Sequence, residues 1–172
     1  MDTTELSAYR ANKDEYLRTD RRSPIPGEYR EGFRGLSYFD WNPDLVFTVP
    51  VGPGDGTQAT ISTSDGAERI YNHAGVARLS VGGRDVQLTL YNTGHAGFFL
   101  PFRDATSGKE TYGAGRYLDL QPNEDGTVTI DFNLAYSPFC AYSDGYSCAL
   151  PPVDNWLTVP IEAGEKTWEK PL

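Results

Sequence analysis

ARLSVGGRDVQLTLY, residues 77–91, is the stretch whose reading decides the fold. Ala77, Leu79 and Val81 alternate with polar residues before Gly82-Gly83, and Val86, Leu88 and Leu90 do the same after it. A period of two on both sides of a glycine pair marks a β-hairpin with one buried and one wetter face. The same grammar extends outward. Val46–Val51, Thr57–Thr63, Glu68–Tyr71, Val76–Val81, Arg84–Tyr91, Phe98–Phe102, Gly115–Leu120, Thr127–Asn133 and Trp156–Ile161 read as short strands between turns, with Asp65-Gly66 as a second hairpin signal. This many meandering strands in 172 residues predict an all-β fold, an antiparallel barrel or a curled β-sandwich.

One helix precedes them. Leu6, Tyr9, Lys13, Tyr16 and Leu17 recur at helical spacing behind Thr3 and Thr4, which can cap an N-terminus, so residues 4–18 are expected to form an amphipathic helix ending before Ser23-Pro24. Arg18, Arg21 and Arg22 then complement its dipole. With no linker composition in the middle, residues 1–172 read as a single domain whose β portion spans 35–168. Eleven Tyr, eight Phe and three Trp supply large apolar surfaces where aliphatic residues are few.

The formal charge of -9 repels nucleic-acid phosphates and anionic lipid, which sets both aside as partners. No apolar run reaches the length of a membrane span, and MDTTELSAYRANKDEY has no signal core, so a soluble, cytoplasmic protein is expected. Oligomeric state is not encoded in any recognisable pattern. Cys140 and Cys148 are spaced unlike zinc ligands, and His73 and His95 lie far away in sequence, so no metal site is expected. Their spacing permits a disulfide, but in a reducing cytosol the pair is expected to stay as thiols. G-x-S-x-G, H-E-x-x-H, P-loop and dinucleotide fingerprints are absent, and no cofactor is implied.

Placed polarity concentrates between Pro101 and Asn155. A three-residue turn ending at Gly126 would pair Asn123 with Thr127. Counting back from that pair, Asp119 would face Asp131 and Tyr117 would face Asn133, with Leu118, Leu120, Ile130 and Phe132 on the opposite, apolar side. Facing carboxylates need a proton, a cation or a donor between them. Arg116, behind Gly113-Ala114-Gly115, is expected to turn its guanidinium toward the acids.

The motifs YRANKDEY, GLSYFDWNP, LPFRDATSGKETYGAGRYLDL, IDFNLAYSPFCAYSDGYSC and LPPVDNWLTVPIEAGEK resemble those of the bacterial and archaeal family catalogued as domain of unknown function 1684. The resemblance runs over nearly the whole chain. It implies that Asp104, Tyr112, Arg116, Tyr117, Asp119, Asp131, Asn133, Tyr136, Cys140, Tyr142, Cys148, Pro151, Pro152, Asn155 and Glu165 occupy motif positions, without giving any of them a role. The chain departs from the usual motif at Ser137, where Asn commonly precedes the proline, and at Ala149, where Pro commonly follows the second cysteine.

The leading expectation is a polar small-molecule pocket lined by Asp104, Tyr112, Arg116, Tyr117, Asp119, Asp131, Asn133, Tyr136, Tyr142 and Asn155. An acid–base enzyme is the alternative, with Asp119 or Asp131 as base and Tyr117 or Arg116 stabilising developing charge. A third reading makes the tyrosine-rich loops a surface for a protein partner.

Overall fold

The computed structural model describes residues 1–92 and 96–171, so His95 lies outside the described residues. Helix α1 spans Thr3–Thr19 and its cap is Asp2 rather than Thr3 or Thr4: the Asp2 carboxylate accepts from the Thr4 and Glu5 amides while Glu5 reaches back to the Asp2 amide. Asp is as good a cap as Thr, and the reciprocal Glu5 bond makes it the better one here. A one-turn helix, α2 (Gly27–Arg30), follows. No helix among the described residues is long and apolar enough to cross a membrane.

The strands are β1 (Val46–Pro53), β2 (Gln58–Ser62), β3 (Glu68–Val81), β4 (Arg84–Asn92), β5 (Phe98–Phe102), β6 (Arg116–Leu120) and β7 (Thr127–Asp131). They form an antiparallel sheet in the order β6-β5-β4-β3-β1-β7, with β2 added to β3. A bridge between Pro122 and Val128 brings β7 back to the end of β6, so the sheet nearly closes into a barrel. The Ala77–Tyr91 hairpin forms as the sequence reads it, with Ala77 opposite Leu88 and Leu79 opposite Val86. Ala77, Leu79, Val81, Leu88 and Leu90 join Leu100, Phe102, Leu118, Leu120, Val128, Ile130 and Phe132 in the interior.

Two strand expectations are corrected. Glu68–Tyr71 and Val76–Val81 are one strand, β3, bent by a bulge between His73 and Gly75 that lets its first half pair β2 and its second half pair β1. Gly75 stands there because a Cβ would lie 2.6 Å from the Val51 side chain. Trp156–Ile161 is not a strand. It touches the sheet through a parallel bridge from Trp156 to Arg103 and a bond from the Ala105 amide to the Val159 carbonyl, and Pro160 has no N–H to extend the ladder.

Candidate functional site

The Gly126 turn forms as read: the Asn123 amide donates to the Thr127 carbonyl, and Gly126 takes a positive φ of 80°. The facing of Asp119 and Asp131 does not follow from it. Beyond the Pro122–Val128 bridge the two strands part, β6 pairing with β5 and β7 with β1. The reason lies at Asp131, where the chain leaves the sheet in a 3-10 turn over Phe132–Leu134. Its carboxylate caps that turn, accepting from the Asn133 amide and side-chain nitrogen at 2.9 Å each. After the turn the chain returns to the edge of β6, and Tyr117 pairs with Tyr136 instead of Asn133.

Most of the expected site residues are consumed by the fold. Asn133 exchanges bonds with the Asn42 backbone, accepting from its amide at 2.8 Å and donating to its carbonyl at 2.9 Å. Asn155, fully buried, accepts from the Thr89 amide and donates to the Thr89 and Pro101 carbonyls. Among the described residues β4 and β5 otherwise pair at Tyr91 and Phe99, and Asn155 stands in for the rest of the ladder, where Pro101 has no N–H to give. Asp104 accepts from the Ile161 amide at 2.7 Å and from the Thr106 hydroxyl at 2.7 Å.

Arg116 is fully buried and its guanidinium turns away from Asp119 and Asp131. It donates to Asp104 at 3.4 Å and to the carbonyls of Ile161, Ala163 and Glu165. The close backbone approach expected at the preceding glycines is real. Gly115 has φ 107°, and a Cβ on it would lie 2.5 Å from the Phe102 carbonyl oxygen. That contact aims Arg116 into the end of the barrel, where four backbone and carboxylate acceptors converge on it.

Glu165 is the buried group that strand reasoning passes over. It is 2 % exposed and lies beneath α1, accepting from Lys13, from the Ser137 amide at 2.9 Å and from the Tyr142 hydroxyl at 2.8 Å. Burial, then the Glu165 charge and the bond to it, push the Tyr142 phenol well above the ordinary range. Ser137 acts here through its amide, and Ala149 acts through its carbonyl, which accepts from the Tyr117 hydroxyl. Roles carried by backbone atoms make few demands on the side chains at those two positions.

The other face of the sheet carries a second apolar cluster. Residues alternating with the core, Tyr71 on β3, Tyr91 on β4, Phe99 on β5 and Tyr117 on β6, share that face and cluster with Ile61, Tyr136 and Ala149. Phe99 meets Tyr117 edge-on at 4.8 Å and stacks on Tyr71 at 5.6 Å, while Tyr117 meets Tyr136 at 5.8 Å. The segment from Pro138 to Ala149 crosses in front of them as a wall, with Phe139 and Tyr146 edge-on at 5.3 Å. Between wall and floor lies a groove of about 340 Å³ lined by Arg69, Tyr71, Phe99, Tyr117, Tyr136, Phe139, Tyr146 and neighbours.

Of the expected residues, Tyr117 and Tyr136 are therefore brought together, and Asp119 joins them at the edge by accepting from the Tyr136 hydroxyl at 2.6 Å. Lys13 of α1 sits over the Tyr136 ring at 5.1 Å. Tyr112 is half-buried, its phenol raised by burial and then by Asp144. Arg69, Tyr71, Phe99, Phe139 and Tyr146 were not among the expected residues. The signal that could have found two of them, Tyr71 and Phe99, is aromatics at the strand positions where a wet face calls for polar residues.

Cys140 and Cys148 are joined as a disulfide, which corrects the expectation of free thiols and ties the wall segment to itself. Asp65 anchors the same segment from outside. Its carboxylate accepts from the Thr63 and Ser147 hydroxyls, in that order of effect, and is held down at about 2.

Burial is the first cause of the upward shifts of Tyr117, Tyr136 and Tyr142, with neighbouring charges and hydrogen bonds adding to it. The folded state therefore keeps protons that the unfolded chain gives up near pH 10, the ordinary tyrosine value of roughly 10. Stability is fully present below that pH and falls as pH rises above it. The expected result is a urea midpoint that is flat up to about pH 9 and drops steeply above about pH 10. Tyrosinate absorbance should show these three phenols ionising only on unfolding.

The comparisons bear on this geometry. The model of the family described as protein of unknown function (DUF1684) matches residues 31–166. The chain belongs to that family. A solution NMR structure of an uncharacterised protein from Haloarcula marismortui, 42% identical, superposes with a TM-score of 0.74, covering 95% of this chain and 93% of that one. The alignment with that relative extends well beyond the 31–166 match at the chain ends. No curated protein of known function matches.

Proposed function

We propose that this family member is a binding protein whose aromatic groove receives a small molecule with a flat ring and a polar edge. The observation that carries the reading is the six aromatic side chains, Tyr71, Phe99, Tyr117, Tyr136, Phe139 and Tyr146, converging on one concave space of about 340 Å³. Such a volume falls within the range of small-ligand sites, which are mostly apolar with a few fixed polar groups. Aromatic walls meeting edge-on give a ring a seat of defined geometry. Tyr117 and Tyr136 have their hydroxyls tied to Ala149 and Asp119, so the floor is set before any ligand arrives.

The acid–base alternative rested on Asp119 and Asp131 facing each other, and the parting of β6 and β7 removes that geometry. Asp131 is a cap, and its Oδ1 accepts both bonds from Asn133.

A thermal-shift screen of ring compounds, sugars and nucleosides included, tests the proposal on wild type, Phe139→Ala and Asp131→Asn. A ligand at ten times its Kd adds about 1.4 kcal/mol, which is roughly 3–6 °C for a chain of this size. Phe139 is 42% exposed, so its truncation should leave the fold intact and weaken the hit at least about tenfold. Asp131→Asn should lower the unfolding temperature of the free protein and leave the ligand increment unchanged. A hit whose increment survives Phe139→Ala and is lost in Asp131→Asn would place binding elsewhere.

A further inference from the structure

Resting on that groove reading, we infer that the ring-bearing ligand carries an anionic group, a carboxylate or a phosphate, received by Arg69. Among the described residues, Arg69 is the single charged side chain lining the groove. Its position follows from register: Ile61 pairs with Arg69 and Ala59 with Tyr71, so Arg69 projects from the same face of β3 as the Tyr71 ring two residues on. The guanidinium reaches over the floor. Burial and the neighbouring Tyr71 push the Tyr117 phenol up, and the Arg69 charge opposes them.

What holds Arg69 there is a neutral group. One Nη donates to the Ser147 carbonyl on the wall segment, which steers the guanidinium across the groove. Among the described residues no carboxylate lies within ion-pair distance of it, in a chain with 24 acidic and 15 basic residues. The closest acidic anchor of that segment, Asp65, is occupied by Thr63, Ala67 and Ser147. Arg69 therefore keeps its Nε and second Nη edge for an acceptor from outside. A guanidinium offers two parallel N–H donors that match both oxygens of a carboxylate or two of a phosphate. Asp119, at the edge of the groove, accepts from the Tyr136 hydroxyl and makes no ion pair with Arg69, so among the described residues the guanidinium stands unpaired beside an aromatic seat.

The test is a titration followed by backbone amide NMR on the full chain, using 4-hydroxybenzoate, phenyl phosphate, neutral 4-hydroxybenzamide and cationic 4-hydroxybenzylamine as probes. The expected result is that the anionic probes shift the amides of Arg69, Tyr71, Ser147, Cys148 and Ala149 and bind at least about fivefold tighter than the amide. Arg69→Gln should erase that difference while leaving the amide's affinity in place. Whichever anion retains the larger Arg69 dependence identifies the group. If the neutral or cationic probe binds wild type as tightly as the anions, or Arg69→Gln leaves the ratio unchanged, the anion inference is overturned and the groove reading stands. If none of the four shifts those amides, both fall together.

Discussion

Arg116→Ala is expected to be the most damaging single substitution in this chain. The side chain is fully buried and donates to Asp104 and to the carbonyls of Ile161, Ala163 and Glu165, so its removal strands one carboxylate and three backbone acceptors in the barrel end. Breaking a buried ion pair from one side costs about 3–5 kcal/mol, and unpaired carbonyls add to that. At roughly 2–4 °C per kcal/mol, the unfolding temperature should fall by about 6–20 °C. Arg116→Met fills more of the volume and should recover part of the loss, since Asp104 keeps its bonds from Thr106 and Ile161. Urea unfolding of both variants is the measurement. A loss below about 1 kcal/mol for the alanine would mean that the buried guanidinium contributes no more than a surface charge.

Glu165→Ala should come second, at about 3–4 kcal/mol, because it leaves the Lys13 ammonium, the Ser137 amide and the Tyr142 hydroxyl without their shared acceptor. Glu165→Gln keeps an oxygen for Ser137 and Tyr142 and loses the charge facing Lys13, so its cost should be about half as large. The discriminating readout is a double-mutant cycle with Lys13→Met, where a coupling of about 1–3 kcal/mol is expected. A coupling near zero would show that the Lys13–Glu165 pair does not hold α1, leaving that to buried Leu6 and Leu17 and to the bonds of Arg10 and Asp14.

The fold was legible where alternation was strict. Ala77–Tyr91 states its own turn, its own register and its buried face, and each forms as read. The long β3 was read as two strands because the bulge at His73–Gly75 shifts the alternation by one residue, and a pattern-based reading sees a break where the chain only bends. The register between β6 and β7 was right at the turn and failed after Pro122 and Val128, since nothing in IDFN signals that Asp131 will cap a 3-10 turn. Asp, Phe and Asn serve equally well in a strand end and in a turn.

The site was legible as a region and not as a list of roles. Polar residues between Pro101 and Asn155 looked poised for a ligand, yet Asp104, Arg116, Asp131, Asn133, Tyr142 and Asn155 spend donors and acceptors on backbone, on Glu165 and on one another. A fold with irregular connections needs such side chains to satisfy its loose backbone groups, and one sequence does not distinguish that need from recognition. Tyr117, Tyr136 and Asp119 survive at the groove because they face the outside of the sheet.

The groove joins two kinds of material. Its floor belongs to a sheet whose opposite side is the core, and Tyr71, Phe99 and Tyr117 pack on one another there, so none changes size without disturbing its neighbours. Its front belongs to a cross-linked excursion of the chain that meets the sheet at a few backbone points. Descendants of one ancestral barrel could therefore exchange Phe139 or Tyr146 for other residues and come to hold different guests, while the foundation beneath stays as it was.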